Sequence, residues 1–123
     1  MNQIDISVII TTRNEEAHIE ECLASILRQN YPQDKIEILV VDNNSTDGTK
    51  EIASRYTDNV HNFGPERSAQ RNFGVENSSG KYILYLDCDM ILSETVLREC
   101  FDTCENGGLT ALYIPEIIVG DGV

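Results

Sequence analysis

The sequence predicts an α/β fold, a mainly parallel, doubly wound sheet flanked by helices. Three observations lead there. Apolar, β-favouring runs at residues 6–11, 36–41 and 81–87 alternate with segments of helical periodicity. Repeated βα units of this kind build a parallel sheet through right-handed crossovers. Each run also ends in a polar or acidic cluster, Thr11 to Glu15, Asp42 to Thr46 and Asp87 to Asp89. In such sheets ligands bind beyond the carboxyl ends of the strands, near a topological switch point.

The elements follow in order. Residues 6–11 are β-branched and apolar, as suits a strand covered on both faces. Thr12-Arg13-Asn14-Glu15-Glu16 reads as a polar turn with a capping asparagine and first-turn glutamates, the start of a helix. Ile19, Cys22, Leu23, Ile26 and Leu27 recur on one face of that helix, and Tyr31-Pro32 stops it. Residues 36–41 are the second strand and deliver Asp42 at its end. A hydrogen-bonding cluster with one glycine, Asn43 to Thr49, follows. Residues 50–56 read as a short helix, 60–63 as a weak third strand closed by Gly64-Pro65. Residues 66–75 read as a helix carrying Arg67 and Arg71, four apart on one face. The run from Lys81 is expected as the central, buried strand. Ser93 is the expected cap of a last helix whose apolar stripe is Val96, Leu97, Cys100, Phe101 and Cys104, ended by Asn106-Gly107-Gly108. Further strands are expected at 109–114 and from 117.

Composition bounds the function. At 123 residues and 41% hydrophobic content the chain is one domain, small for a complete α/β enzyme. Nine Lys+Arg against twenty-one Asp+Glu give a net charge of −12, which argues against a nucleic-acid backbone or an anionic membrane as the main partner. An anionic substrate would need a metal and a few placed arginines. No apolar run approaches the roughly 18 residues of a membrane span, and the start Met-Asn-Gln-Ile-Asp lacks a basic signal-peptide region, so a cytoplasmic location is expected. Cys22, Cys88, Cys100 and Cys104 have no zinc-like pairing with histidine and read as reduced, mostly core thiols. A redox pair between Cys100 and Cys104 stays open. There is no G-x-G-x-x-G and no P-loop signature.

The sharpest local signal is Asp87-Cys88-Asp89. On a regular strand both carboxylates would share one face, because side chains alternate with a period of two. At about 5 Å and an effective dielectric of about 20 their repulsion is roughly 3 kcal/mol. A hard divalent ion such as Mg²⁺ or Mn²⁺, which accepts oxygen ligands and shares its coordination with phosphates, would relieve it. The competing reading is a polar turn with two solvated aspartates.

Four segments together resemble a known family. They are Val8-Ile9-Ile10-Thr11-Thr12-Arg13-Asn14-Glu15-Glu16, Val40-Val41-Asp42-Asn43-Asn44-Ser45-Thr46-Asp47-Gly48-Thr49, Gln70-Arg71-Asn72-Phe73-Gly74, and the segment from Gly80 to Asp89. In order and spacing the chain resembles the N-terminal, nucleotide-sugar-binding half of a family 2 glycosyltransferase with the Rossmann-like GT-A fold, here in truncated form. The resemblance implies transfer of a sugar from a nucleotide-diphosphate donor, usually a UDP-sugar, with inversion and with Mg²⁺ or Mn²⁺. It places Thr11, Thr12, Asn14, Glu15, Asp42 and Asn44 around the nucleoside, Glu15 toward the ribose hydroxyls and Asp42 on the base imide. Arg67 and Arg71 would lie near the phosphates, Asp87 and Cys88 beside the donor, and Asp87 and Asp89 at the metal.

For single residues a plainer reading stands beside each role. Asp42 could cap the following turn, Glu15 could be a first-turn helix charge, and the two arginines could pair with Glu66 on an exposed face. His18 and His61 read as surface or packing residues. Thr11 stands where the family commonly has proline, Asn43-Asn44 where Asp-Gly is frequent, and Met90 where a third acid is often found. No general base is identifiable, since Glu116 and Asp121 follow Asp89 too closely. The truncation implies a donor-binding domain over 1–123, weak or inactive alone, with an exposed sheet edge that favours self-association. In a longer form it could be membrane-peripheral. The acceptor is unknown. The alternative function is a non-catalytic nucleotide-sugar-binding module that needs a partner chain, and a nucleotidyltransferase is less well matched because no glycine-rich basic loop follows the first strand.

Overall fold

Side chains branched at Cβ fill the first strand, which makes it stiff and suited to a site covered on both faces. In the computed structural model, which describes residues 3–107, β1 (Ile6–Thr12) lies inside the sheet. The remaining elements are α1 (Ile19–Leu27), a 3₁₀ turn (Gln33–Lys35), β2 (Ile36–Asp42), α2 (Thr49–Ala53), β3 (Val60–Asn62), α3 (Arg67–Glu76), β4 (Tyr82–Asp87) and α4 (Val96–Gly107). The strands are ordered β3-β2-β1-β4 and all three pairings are parallel. The chain reverses direction across the sheet between β1 and β4, so the switch point lies at their carboxyl ends.

Alternation along the strands assigns each helix to a face. Val8 and Ile10 join Ile19, Cys22, Leu23 and Ile26 of α1 and Val96 and Leu97 of α4 in one core. Each aliphatic side chain buried there contributes about 1.5–3 kcal/mol. Ile9, one step along β1, points the other way, toward α3, where Gly74 meets it. The four cysteines are free, and Cys22, Cys88 and Cys104 are buried.

Several expectations shift. α1 begins at Ile19, not near Asn14, because the intervening residues are drawn into contacts with the loop after β2. Leu27, expected on the buried face, is 46% exposed, since the helix ends there and its last turn overhangs the core. α2 is shorter than expected and closes in turns up to Tyr56. Among the described residues β4, expected as the central strand, stands at one edge of the sheet, and Tyr85 is 46% exposed. It stops at Asp87, and Cys88-Asp89 turn away from it, with Met90 N–H donating to Asp87 O at 3.0 Å. The period-two argument therefore does not extend to Asp89. At α4, Ser93 accepts from Val96 N–H through its backbone carbonyl, and the side chain that meets the first turn is Gln29. The strands expected at 109–114 and from 117, with Glu116 and Asp121, lie outside the described residues.

Close packing of α3 on β1 makes a definite prediction. A Cβ on Gly74 would lie 2.6 Å from Ile9 Cγ2, in a fully packed layer. Alanine is the better helix former by about 1 kcal/mol, yet overpacking of this kind costs about 1–3 kcal/mol. Urea unfolding of Gly74→Ala should show a net loss of stability; a gain would mean that α3 sits further from the sheet.

Candidate functional site

Strand register fixes which residues meet at the carboxyl rim. Asn62 is opposite Asp42, Asp42 opposite Thr12, and Thr11 opposite Asp87. The loops that leave these ends form one continuous polar surface.

Asp42 is fully buried. Thr12 Oγ1 donates to its Oδ1 at 2.5 Å, Ser45 Oγ donates to the same oxygen at 2.6 Å, and Ser45 N–H donates to Oδ2 at 2.8 Å. The side chain that the resemblance aims at a base thus fastens β1 to the loop after β2. From this knot the two loops close like a zip. Asn14, with φ of 53°, donates its N–H to Ser45 Oγ at 2.7 Å and accepts Thr46 N–H on Oδ1 at 2.8 Å. Glu15 N–H donates to Thr49 Oγ1 at 2.8 Å, and Gly48 N–H donates to Glu16 Oε1 at 3.2 Å. Glu15 keeps its carboxylate partly exposed, 3.2 Å from His18 Nδ1.

On the β3 side Asn44, with φ of 52°, pairs reciprocally with Asn62. Its N–H donates to Asn62 Oδ1 at 2.8 Å, and Asn62 Nδ2 donates to Asn44 Oδ1 at 2.7 Å. Asn44 therefore shapes the loop. Buried Gln70 hooks α3 onto the rim, its Nε2 donating to Val41 O at 2.7 Å and Thr12 O at 3.2 Å. The resembling segment Gln70 to Gly74 includes this residue but gives it no role, because a polar residue on a mostly polar helix carries no periodic signal.

The charged part of the rim lies between α3 and β4. Arg67 and Arg71 each place a guanidinium nitrogen 3.8 Å from Asp87 Oδ1, and Arg71 also lies over the Tyr85 ring at 5.1 Å. The arginines face Asp87 and not Glu66. Thr11 is half-buried, and Asp89 is exposed on its turn. Cys88 is buried in the main core, so only its backbone could meet a ligand. Burial first, then the charges of Asp89, Asp87 and Glu15, push the Cys22 thiol up to about 12. Those three carboxylates therefore bear on one point beneath the rim. Among the described residues no three His, Cys, Asp or Glu side chains form a ready metal cage. Two carboxylates at a strand end suit a hard ion that takes its other ligands from water and phosphate.

The zip has a testable pH signature. Asp47 is held below the ordinary carboxylate value, first by the Thr49 hydroxyl. That contribution is complete above about pH 4 and disappears as pH falls through the lower folded value. Thr49→Val also leaves Glu15 N–H without its acceptor, a loss of about 1–3 kcal/mol. Thermal unfolding should show the deficit of Thr49→Val at pH 7 shrinking toward pH 3; a deficit that grows in acid would contradict this.

Comparison with known proteins identifies the family. The model of glycosyl transferase family 2 matches residues 7–121. Glycosyltransferase AglE of Haloferax volcanii is 44% identical over 111 residues, which cover 85% of this chain and 36% of that protein. The poly(ribitol-phosphate) beta-glucosyltransferase of Bacillus spizizenii is 36% identical over 104 residues, 76% of this chain and 16% of its own length. This chain thus spans about a third or less of these relatives. The structure of S. aureus TarS in complex with UDP-GlcNAc superposes with a TM-score of 0.78 at 25% identity, over 92% of this chain and 37% of that one. A mannosyltransferase from Pyrobaculum calidifontis in complex with GDP-Man and Mn²⁺ superposes with a TM-score of 0.67 at 29% identity, over 87% of this chain and 32% of that one. With the family model matching residues 7–121 and a relative 44% identical over 85% of the chain, the chain belongs to glycosyl transferase family 2.

Proposed function

We propose that the chain is the donor-binding domain of a glycosyltransferase, which binds a nucleotide-diphosphate sugar at the carboxyl rim for transfer to an acceptor. The observation that carries this reading is the mixed-charge cluster in which Arg67 and Arg71 converge on Asp87, one turn from Asp89. A diphosphate–metal complex needs both signs at once: guanidinium groups for phosphate oxygens and carboxylates for the ion. The cluster offers both on a chain whose net charge of −12 would otherwise repel an anion.

In this reading Asp87 and Asp89 hold Mg²⁺ or Mn²⁺, and Arg71 and Arg67 shift from Asp87 toward the phosphates. When bound, the ion compensates negative charge on the departing nucleoside diphosphate. Glu15 accepts from the ribose hydroxyls, with Thr11 and the backbone of Cys88 beside the donor. Thr12, Asn14, Asp42 and Asn44 keep the nucleoside loops in shape. A uridine nucleotide is the proposed donor base, in line with the UDP-GlcNAc complex of TarS, and the GDP-Man complex of the archaeal enzyme names the competitor to test.

Calorimetric titration with UDP and GDP, with and without Mn²⁺, tests this. One nucleotide should bind more tightly with Mn²⁺, Asp89→Ala should abolish that increment, and Arg71→Ala should weaken binding about tenfold with and without metal, the loss of roughly one charge-assisted contact. No binding of either nucleotide to the folded chain would overturn the reading.

A further inference from the structure

The segment that carries Asp89 has little structure of its own. Between the end of β4 and the start of α4 it runs through a turn at Cys88–Asp89, closed by Met90 N–H on Asp87 O at 3.0 Å, a single bridge residue at Leu92 and a second turn at Glu94–Thr95. It is also fastened to α1 and to the two residues past its C-cap, more than sixty residues away. Ser25 Oγ accepts Leu92 N–H at 3.0 Å while donating to Cys22 O at 2.6 Å. Gln29 Nε2 donates to Ser93 O at 2.6 Å and to Ser25 O at 3.1 Å, and its Oε1 accepts Leu97 N–H at 3.0 Å. Asn30 N–H donates to Glu94 O at 2.7 Å, and Cys22 Sγ lies 3.9 Å from Asp87 O as a weak donor. Ser25 is fully buried and Gln29 nearly so.

These contacts are not needed to bury apolar surface. α1 already packs Ile19, Leu23 and Ile26 into the core. A buried amide and a buried hydroxyl are retained only where their partners are in place, and here nearly every partner outside α1 belongs to the stretch between Asp89 and the first turn of α4. Cys22 and Ser25 lie on one face of α1, and Gln29 and Asn30 follow just past its end, so this end of the helix holds the backbone from Asp87 to Leu97 on both sides of the turn. The register of Asp89 against Asp87 is then set by α1, since free rotation of that turn would move the two carboxylates relative to each other.

We propose that Gln29 and Ser25 are positioning residues for the Asp87/Asp89 metal site, fixing the exposed Asp89 carboxylate from inside the core. This rests on the metal reading given above. Groups that orient metal ligands typically change metal affinity about 10–100-fold when removed.

The experiment measures Mn²⁺ affinity, from the free-ion paramagnetic resonance signal at saturating UDP or GDP, whichever the wild type binds, and separately the affinity for that nucleotide without metal. Gln29→Ala and Ser25→Ala should weaken Mn²⁺ about tenfold or more and leave metal-free nucleotide affinity within about twofold. Gln29→Met, which keeps the side-chain volume but none of the hydrogen bonds, gives the same reading if Gln29→Ala does not fold. Ile26→Val, on α1 but with its side chain packed only in the core, should lower the melting temperature and leave Mn²⁺ affinity unchanged. Variants that melt earlier yet bind Mn²⁺ like the wild type would overturn the proposal alone. A wild type with no nucleotide-dependent Mn²⁺ binding would overturn the metal reading and this inference together.

Discussion

Asp42 stands at the end of β2 without solvent contact, so both of its oxygens have to be partnered inside the protein. Leaving such a group unpaired costs several kcal/mol. The partners available are few: Thr12, directly across the register, and Ser45, three residues further on. Using both closes the β1 and β2 ends on each other and commits the next residues of both loops. Asn14 and Asn44 then take left-handed backbone conformations, which asparagine tolerates better than most residues. The zip between residues 14–16 and 45–49 follows, and with it the late start of α1. One buried carboxylate thus accounts for the shape of the whole left side of the rim.

The other side is governed by charge balance. Asp87, at the open end of β4, faces two arginines from α3, and Gln70 pins that helix to the carbonyls of Thr12 and Val41. At 3.8 Å and partly exposed these ion pairs are individually weak, about 0–1 kcal/mol each. Weak pairing is what a site needs if its cations are to turn toward an anionic ligand at small expense. The rim is therefore rigid where loops are shaped and loosely held where ligand charge would be met. Family membership and the cluster's two signs make a nucleotide-diphosphate sugar the ligand proposed for it.

Much of this was legible in the sequence because the strands are short, β-branched and bounded by polar clusters. β1 and β2 fall within a residue of expectation, and Arg67 and Arg71 do share a face with Asp87 opposite. What was not legible depended on contacts distant in the chain. Asn14 reads as a helix cap until Ser45 and Thr46 are brought beside it. Leu27 fits the helical period, yet the period says nothing about where the core ends. The edge position that β4 has among the described residues follows from strand order, which local periodicity does not encode. Ser25, Gln29 and Gln70 are polar residues whose value lies in buried backbone partners more than 25 residues away, and no spacing rule announces them.

Locating the bound ion is the most direct test of the rim as the donor site. The ¹⁵N-labelled chain would be saturated with UDP and titrated with substoichiometric Mn²⁺, whose unpaired electrons broaden nearby amide signals. The account predicts early loss of the amides of Cys88, Asp89 and Met90, then of Glu15 and Arg71, with α4 beyond Glu99 unaffected. Selective broadening along the acidic surface of α4, at Asp102 and Glu105, with the amides of Cys88 to Met90 intact, would contradict it.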